Sequence, residues 1–274
     1  MPSVGLTPKV KYRIETVAVV GRALWERGWA PKNAGNISVD ITGTADIRTS
    51  DISKYPYRPL ESACPELAGT ILLVTGAGSR MRDVAHQPTK ELCIIQIAGD
   101  GRGYFFLWGD MANVSLSPTS ELPTHLSIHR LLKQQGGTNK AVLHTHPDEL
   151  IALSMIPEYD DEQKLNALLF SMHAESVIVN HRGIGLVPYL LTGTEELAAK
   201  TVSSLEHHPI VLWKNHGCMA VGQDVQEAFD LIDVTNKSAQ LFFLCRRAGY
   251  EPRGLTADQI EELKKKFAPS GNAS

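Results

Sequence analysis

Short apolar segments, each bounded by turn residues, set the strongest limit on how this chain folds. They are four to eight residues long, which suits buried strands and is too short for most helices. The predicted strands are 70–76, 91–98, 104–108, 141–145, 176–180, 210–214 and 218–221.

Amphipathic helices are predicted between several of these strands. Residues 9–27 carry apolar side chains at spacings of three and four and are followed by Gly28, a typical helix stop. Similar patterns predict helices over 122–132, 194–206 and 224–248. A last helix is indicated by the capping box that Thr256 forms with Gln259.

Nothing in the sequence divides the chain into separate domains. No internal repeat, low-complexity segment or linker interrupts the 274 residues. We therefore predict one α/β domain over 1–274, with a polar, proline-containing irregular excursion at about 40–68.

Composition narrows the functional classes. Lys and Arg number 27 against 30 Asp and Glu, so a net charge of -3 gives no reason to expect a nucleic-acid partner. The sequence lacks a stretch that is apolar enough for a membrane helix, and the N-terminus lacks the apolar core of a signal peptide. Four widely spaced cysteines are expected to be reduced thiols. We therefore expect a cytoplasmic protein that binds neither nucleic acid nor membrane.

A pair of histidines at the end of one predicted strand offers the first candidate site. Side chains alternate faces along a strand, so His144 and His146 project to the same side. This arrangement suits a zinc ion, although two ordinary histidines at a strand end are an equal alternative. His216 lies in an Asn-His-Gly turn between two predicted strands and is the best candidate for a third ligand.

A rival metal site is spaced along one predicted helix. Glu121, His125 and His129 recur every four residues and so share a helix face. For the two histidines we favour a half-exposed stripe over metal ligation. Glu121 differs, because it lies at the start of the helix, where backbone N–H groups with Thr119 and Ser120 suit a carboxylate or a phosphate.

Two glycine-containing loops are candidates for phosphate binding. Residues 74–81 follow a strand and offer the Thr75 and Ser79 hydroxyls, but they match neither a Walker loop nor a dinucleotide fingerprint. Residues 33–38 offer the amides of Asn33 and Asn36. Plain turns explain both loops equally well.

In order and spacing, five of these segments together resemble the class II aldolase/adducin family, from about residue 10 to 248. They are 33–36, 75–79, 119–121, 144–146 and 215–217. The resemblance implies a homotetramer of three-layer α/β/α subunits with a largely antiparallel central sheet. It also implies metal-dependent cleavage of a ketose 1-phosphate.

The resemblance further implies roles for individual residues. His144, His146 and His216 would bind one zinc ion per chain, and Glu121 would be the catalytic acid/base. Glu175 matches a position whose carboxylate reaches the site of an adjacent subunit, although capping a strand end is an equal alternative. The substrate and its phosphate would be held by Asn33, Asn36, Thr75, Gly76, Ser79, Thr119 and Ser120.

Two other functions stay open at this point. Three histidines and an open coordination position also suit a zinc-hydroxide hydrolase. A non-enzymatic scaffold is disfavoured, because three histidines and Glu121 serve no evident purpose in one.

Overall fold

The computed structural model describes residues 5–44, 52–110 and 116–267. The strands in these ranges are β1 Asn36–Asp40, β2 Tyr57–Pro59, β3 Ile71–Thr75, β4 Leu92–Ile97, β5 Gly103–Trp108, β6 Ala141–Thr145, β7 Ile184–Val187, β8 Ile210–Trp213 and β9 Gly217–Gly222. The helices are α1 Pro8–Glu26, α2 Met81–His86, α3 Pro88–Glu91, α4 Leu122–Gln135, α5 Asp148–Leu153, α6 Glu162–Met172, α7 Ala174–Val179, α8 Glu195–Leu205, α9 Val225–Arg247 and α10 Ala257–Phe267.

All of these strands join one sheet in the order β2-β5-β4-β3-β1-β6-β9-β8-β7. Every neighbouring pair is antiparallel except β7 with β8. Strand β1 lies between β3 and β6, so it joins the N-terminal and C-terminal halves of the sheet. The predicted largely antiparallel sheet is confirmed.

Alternate side chains of each strand enter different cores, which makes the fold three-layered. Leu143 of β6 packs in a core that also holds side chains of α1, α5, α6 and α9. Its neighbour Val142 packs in a core with side chains of α4 and α8. His144 is two residues beyond Val142 and therefore lies on the α4 side of the sheet.

Six of the predicted strands agree with the structure, and one prediction is wrong. Residues 176–180 belong to helix α7 and to the residue that follows it. Ser176, Val177 and Asn180 are the buried positions of this segment, a helical spacing that packs against α9. Packing therefore overrides the β-branched composition that suggested a strand.

Three strands, β1, β2 and β7, were not predicted from the sequence. Strand β1 alternates polar Asn36, Ser38 and Asp40 with buried Ile37 and Val39, which is a period-two pattern. The glycine and asparagine turn signal just before it concealed this pattern.

The structure also bears on the predicted helices and on the excursion at 40–68. The predicted helices are present as α1, α4, α8 and α9, and the backbone N–H of Thr256 and the side chain of Gln259 form the expected capping box before α10. The excursion at 40–68 holds β2 and two short 3-10 turns, while its residues 45–51 lie outside the described ranges. Across the described ranges, none of the helices is both long and apolar enough to cross a membrane.

Candidate active site

The imidazole of His144 is fixed at the end of β6. Its Nδ1 lies 2.9 Å from the carbonyl oxygen of Cys218 on β9, so the Nδ1–H donates and Nε2 keeps its lone pair. The ring is buried, and its centroid lies 4.7 Å from that of the Trp213 indole. Such a hydrogen bond is how proteins orient a metal-binding histidine.

His146 and His216 approach the free face of His144. The Nε2 atoms of His144 and His146 are 3.0 Å apart. His216 lies in the turn between β8 and β9, where Asn215 adopts a left-handed φ of 60°. One nitrogen from each of the three rings lies within 4.8 Å of the others. Two nitrogens bound to one tetrahedral zinc ion are roughly 3.3 Å apart, so the cluster is compact enough to share an ion.

The close approach of the two strand ends depends on Gly217. A Cβ atom at this position would lie 2.3 Å from Cδ2 of His146 and 2.6 Å from the carbonyl oxygen of Thr145. The end of β6 is also held by Trp29, whose carbonyl accepts hydrogen bonds from the Thr145 hydroxyl and the His146 N–H. Backbone contacts from both sides therefore fix the two β6 imidazoles.

Burial keeps all three rings neutral at physiological pH. It lowers the pKa of His144 to about 3, with the neighbouring His216 contributing in the same direction. Burial, followed by the neighbouring His144 and His216, likewise lowers the pKa of His146 to about 3. Burial also lowers the pKa of His216, opposed by Glu121. Neutral imidazole is the form that binds a metal ion.

Glu121 supplies a carboxylate beside this cluster. It lies immediately before α4, and its Oε2 is 3.9 Å from Nε2 of His144. Its side chain is only 19% exposed, and Oε2 is buried with no hydrogen-bond partner among the residues that the structure describes. A buried carboxylate oxygen without a partner is unfavourable unless a cation or a proton meets it. The three imidazoles and this oxygen therefore fit a bound metal ion.

The rival chelate does not form. His125 and His129 are fully buried rather than half-exposed, so that prediction is wrong. Both rings contact the hydroxyl of Ser38, at 2.6 Å and 2.7 Å, and His125 also contacts Asn36. Among the described residues, the cluster of His144, His146 and His216 is the candidate metal group. The alternation of polar and apolar residues along β1 is the sequence signal that could have placed Ser38 on the side of the sheet that faces α4.

The predicted phosphate loop at 74–81 lies against the segment that leads into α4. The backbone N–H of Ala77 donates to the carbonyl of Ser117, and that of Thr119 donates to the carbonyl of Thr75. The Thr119 hydroxyl accepts from the N–H of Glu121. Gly76 permits this contact, since a Cβ atom there would lie 2.7 Å from Leu116. The loop after β3 is thereby joined to the start of α4.

Several donors in these loops are already paired within the chain. The Thr75 hydroxyl exchanges hydrogen bonds with the backbone of Ile37, and the N–H of Gly76 donates to the carbonyl of Glu91. The Ser79 hydroxyl donates to the same carbonyl at 3.0 Å. Ser120 is exposed.

The remaining predicted site residues lie in different surroundings. Asn36 is buried on β1 and pairs directly with His144 of β6. Asn33 is exposed in the turn before β1. Glu175 is exposed near the start of α7, a helix rather than the expected strand end.

Known proteins resemble this chain over most of its length. The family model described as Class II Aldolase and Adducin N-terminal domain matches residues 15–243. A rhamnulose-1-phosphate aldolase of Bacteroides thetaiotaomicron is 36% identical over 263 residues, covering 95% of this chain and 96% of the relative. One of Enterobacter sp. is 34% identical over 247 residues, covering 89% of this chain and 88% of the relative. The crystal structure of a sugar-phosphate aldolase from Thermotoga maritima has a TM-score of 0.74 at 32% identity and covers 89% of this chain and 99% of that one.

We expect Gly217→Ala to weaken metal binding, because the new methyl group would displace His146 or the end of β6. Displacing a group that orients a ligand lowers metal affinity by about 10- to 100-fold. The measurement is elemental analysis after dialysis against a limiting metal buffer, with circular dichroism to check folding. The matched control is Gly137→Ala, since a methyl group there meets no atom within 4 Å. Equal metal content in a folded Gly217→Ala protein and in the control would contradict this account of the turn.

Proposed function

This chain belongs to the class II aldolase and adducin family, and we propose that it cleaves L-rhamnulose 1-phosphate reversibly to dihydroxyacetone phosphate and L-lactaldehyde. The family that the sequence predicted is thus confirmed. The two curated relatives support the choice of substrate, because both are named for this activity and match nearly the whole chain. The names of these relatives also favour a carbon–carbon lyase over a hydrolase or a scaffold.

One observation carries the proposal for the site. Within the described ranges, the buried Oε2 of Glu121 has no hydrogen-bond partner, and it lies 3.9 Å from the free nitrogen of His144, beside two further imidazoles. Metal-dependent aldol cleavage requires the metal ion and a proton-transferring group in one place. Charge must be stabilised on the substrate oxygens, and a carbon must exchange a proton.

We assign the metal as zinc, bound by His144, His146 and His216. Three neutral imidazoles with an open fourth position are the ligand set of many catalytic zinc sites. When bound, zinc supplies Lewis-acid stabilisation of the negative charge that develops on the substrate oxygens. A Schiff-base lysine is then unnecessary.

Glu121 acts as the acid/base. Cleavage breaks the bond between the α and β carbons of the ketose and leaves its electron pair on the α carbon, from which it delocalises into the carbonyl to form an enediolate. The Glu121 carboxyl group donates a proton to that carbon in cleavage and removes the same proton in synthesis. A positioned acid/base of this kind contributes about 100- to 10,000-fold in rate. Because no described residue forms a hydrogen bond to Oε2, this oxygen is available for the transfer.

The phosphate is held where the loop after β3 meets the start of α4. The backbone N–H of Thr119 and the hydroxyls of Thr75 and Ser79 are paired within the chain, so binding through Ser79 requires its proton to leave the Glu91 carbonyl. Gly78, whose φ is left-handed, and Ser120 are both exposed, and their backbone N–H groups are further candidates to bind the phosphate. Asn33, in the turn before β1, and Asn36, on β1, are the proposed donors on that side of the site.

We propose that the active assembly is a homotetramer in which Glu175 serves a neighbouring subunit. Glu175 is exposed in the single chain, as a carboxylate that completes a partner's site would be. It would take the proton from the hydroxyl that becomes the aldehyde of L-lactaldehyde. We further propose that 1–274 is one domain and that the reaction takes place in the cytoplasm, consistent with the four unpaired thiols.

The cleavage reaction and the role of Glu121 are tested together. Wild-type protein should release dihydroxyacetone phosphate from L-rhamnulose 1-phosphate and exchange a carbon-bound proton of dihydroxyacetone phosphate in deuterated water, followed by NMR. We expect Glu121→Gln to lower exchange by about 100-fold or more, because the isosteric amide cannot transfer the proton. The exposed Glu158→Gln is the matched control. Wild-type exchange in Glu121→Gln would remove Glu121 from the mechanism, and cleavage of only another ketose phosphate would refute the substrate.

The shared site is tested by co-expressing a His216→Ala chain with a Glu175→Ala chain. Each parent should be nearly inactive, while mixed assemblies contain some sites with both the metal ligands and the partner carboxylate intact. We expect these hybrids to recover part of the wild-type activity, measured after separating the differently tagged assemblies. Inactive hybrids that still assemble would contradict the proposal, as would a dilute monomer with full activity.

A further inference from the structure

We infer that Ser38, His125 and His129 are positioning residues that orient the amide of Asn36 so that its N–H group faces the metal centre. This inference rests on the proposed aldolase function, for which Asn36 is a substrate-binding residue. Neither the metal ligands nor the acid/base requires these three buried polar side chains, so they need another explanation.

The spacing of the buried polar residues along β1 matches their spacing along α4. Two residues along β1 advance by about 6.6 Å, and four residues along α4 advance by about 6 Å. Asn36 and Ser38 therefore face His125 and His129 in register. The result is a continuous chain of contacts, in which the Ser38 hydroxyl lies 2.7 Å from Nε2 of His129 and 2.6 Å from Nδ1 of His125.

The contact with Asn36, at one end of this series of hydrogen bonds, determines which atom donates at each of the others. Nε2 of His125 lies 2.5 Å from the side-chain carbonyl oxygen of Asn36, which can only accept. His125 therefore carries its proton on Nε2, and its Nδ1 accepts from the Ser38 hydroxyl. The Ser38 oxygen in turn accepts from Nε2–H of His129. Both imidazoles are neutral, because burial is the main cause that lowers the pKa of His125 well below its ordinary value and that of His129 to about 4.

With the donors and acceptors in this order, the amide nitrogen of Asn36 can donate to a ligand. Its carbonyl oxygen is held by His125, and its Nδ2 makes no hydrogen bond to another described residue. Asn36 also pairs with His144 across β1 and β6, which places it next to the metal centre. An N–H donor at this point stabilises the oxygen that becomes negative during cleavage. The reversed amide would instead add a partial negative charge to a site that already contains Glu121.

The first test reads the proton positions directly. In protein labelled with ¹⁵N-histidine, we expect the nitrogen chemical shifts to report His125 and His129 as neutral rings protonated on Nε2. Signals are assigned by their loss in His125→Gln and His129→Gln proteins. This measurement uses wild-type protein and no substrate, so it stands even if the proposed substrate is wrong. Protonation of His125 on Nδ1 would reverse the chain and overturn the inference.

The second test asks whether Ser38 acts through Asn36. We expect Ser38→Ala to lower kcat by about 10- to 100-fold with a smaller change in KM and unchanged zinc content, since the donor acts mainly in the transition state. Ser38→Thr restores the hydroxyl and should recover most of this loss. In an Asn36→Ala background, the same Ser38→Ala change should have almost no further effect.

A buried serine elsewhere provides the matched control. The Ser238 hydroxyl is fully buried and hydrogen-bonded to Ser176, and Ser238 lies on α9, on the opposite side of the sheet. Ser238→Ala should therefore leave kcat within about twofold of wild type, while both variants lose some stability. Loss of activity in Ser238→Ala equal to that in Ser38→Ala would reduce Ser38 to a structural role. Independent, additive effects of Ser38→Ala and Asn36→Ala would also contradict positioning.

Discussion

The hydrogen bond from His144 to the carbonyl of Cys218 connects the fold to its chemistry. It is made possible by the antiparallel pairing of β6 with β9, in which His144 lies opposite Met219 and Thr145 opposite Cys218. The bond fixes the tautomer, so one nitrogen of a buried neutral ring is left available to a metal ion. His216 enters from the turn that leads into β9, and the absence of a side chain at Gly217 lets the two strand ends approach.

The α4 side of the central sheet is unusually polar for a buried surface. Strand β1 contributes Asn36 and Ser38, and α4 contributes His125 and His129, all nearly inaccessible to solvent. Unpaired, each of these groups would be unfavourable by about 1–3 kcal/mol. Paired in one chain, they hold α4 in register with β1. The same register places Glu121, at the start of α4, beside His144, so the polar layer and the position of the proposed acid/base share one structural cause.

The sequence alone predicted those parts of the site that depend on local geometry. Strand alternation places His144 and His146 on one face, and a turn motif brings His216 to a strand end. Glu121 depended on a family resemblance, because the position of a helix start relative to a distant strand is set by tertiary packing. Ser38 was missed although β1 alternates clearly, and residues 176–180 were misassigned because contacts with α9 outweigh their β-branched composition.

The central claim, that three imidazoles form a zinc centre beside Glu121, is tested most directly by X-ray absorption at the zinc edge of the metal-loaded protein. The account predicts three imidazole nitrogens at about 2.0–2.1 Å, and one fewer in a His216→Ala protein. Thiolate scattering at about 2.3 Å, or an imidazole count that is unchanged when His216 is removed, would contradict it.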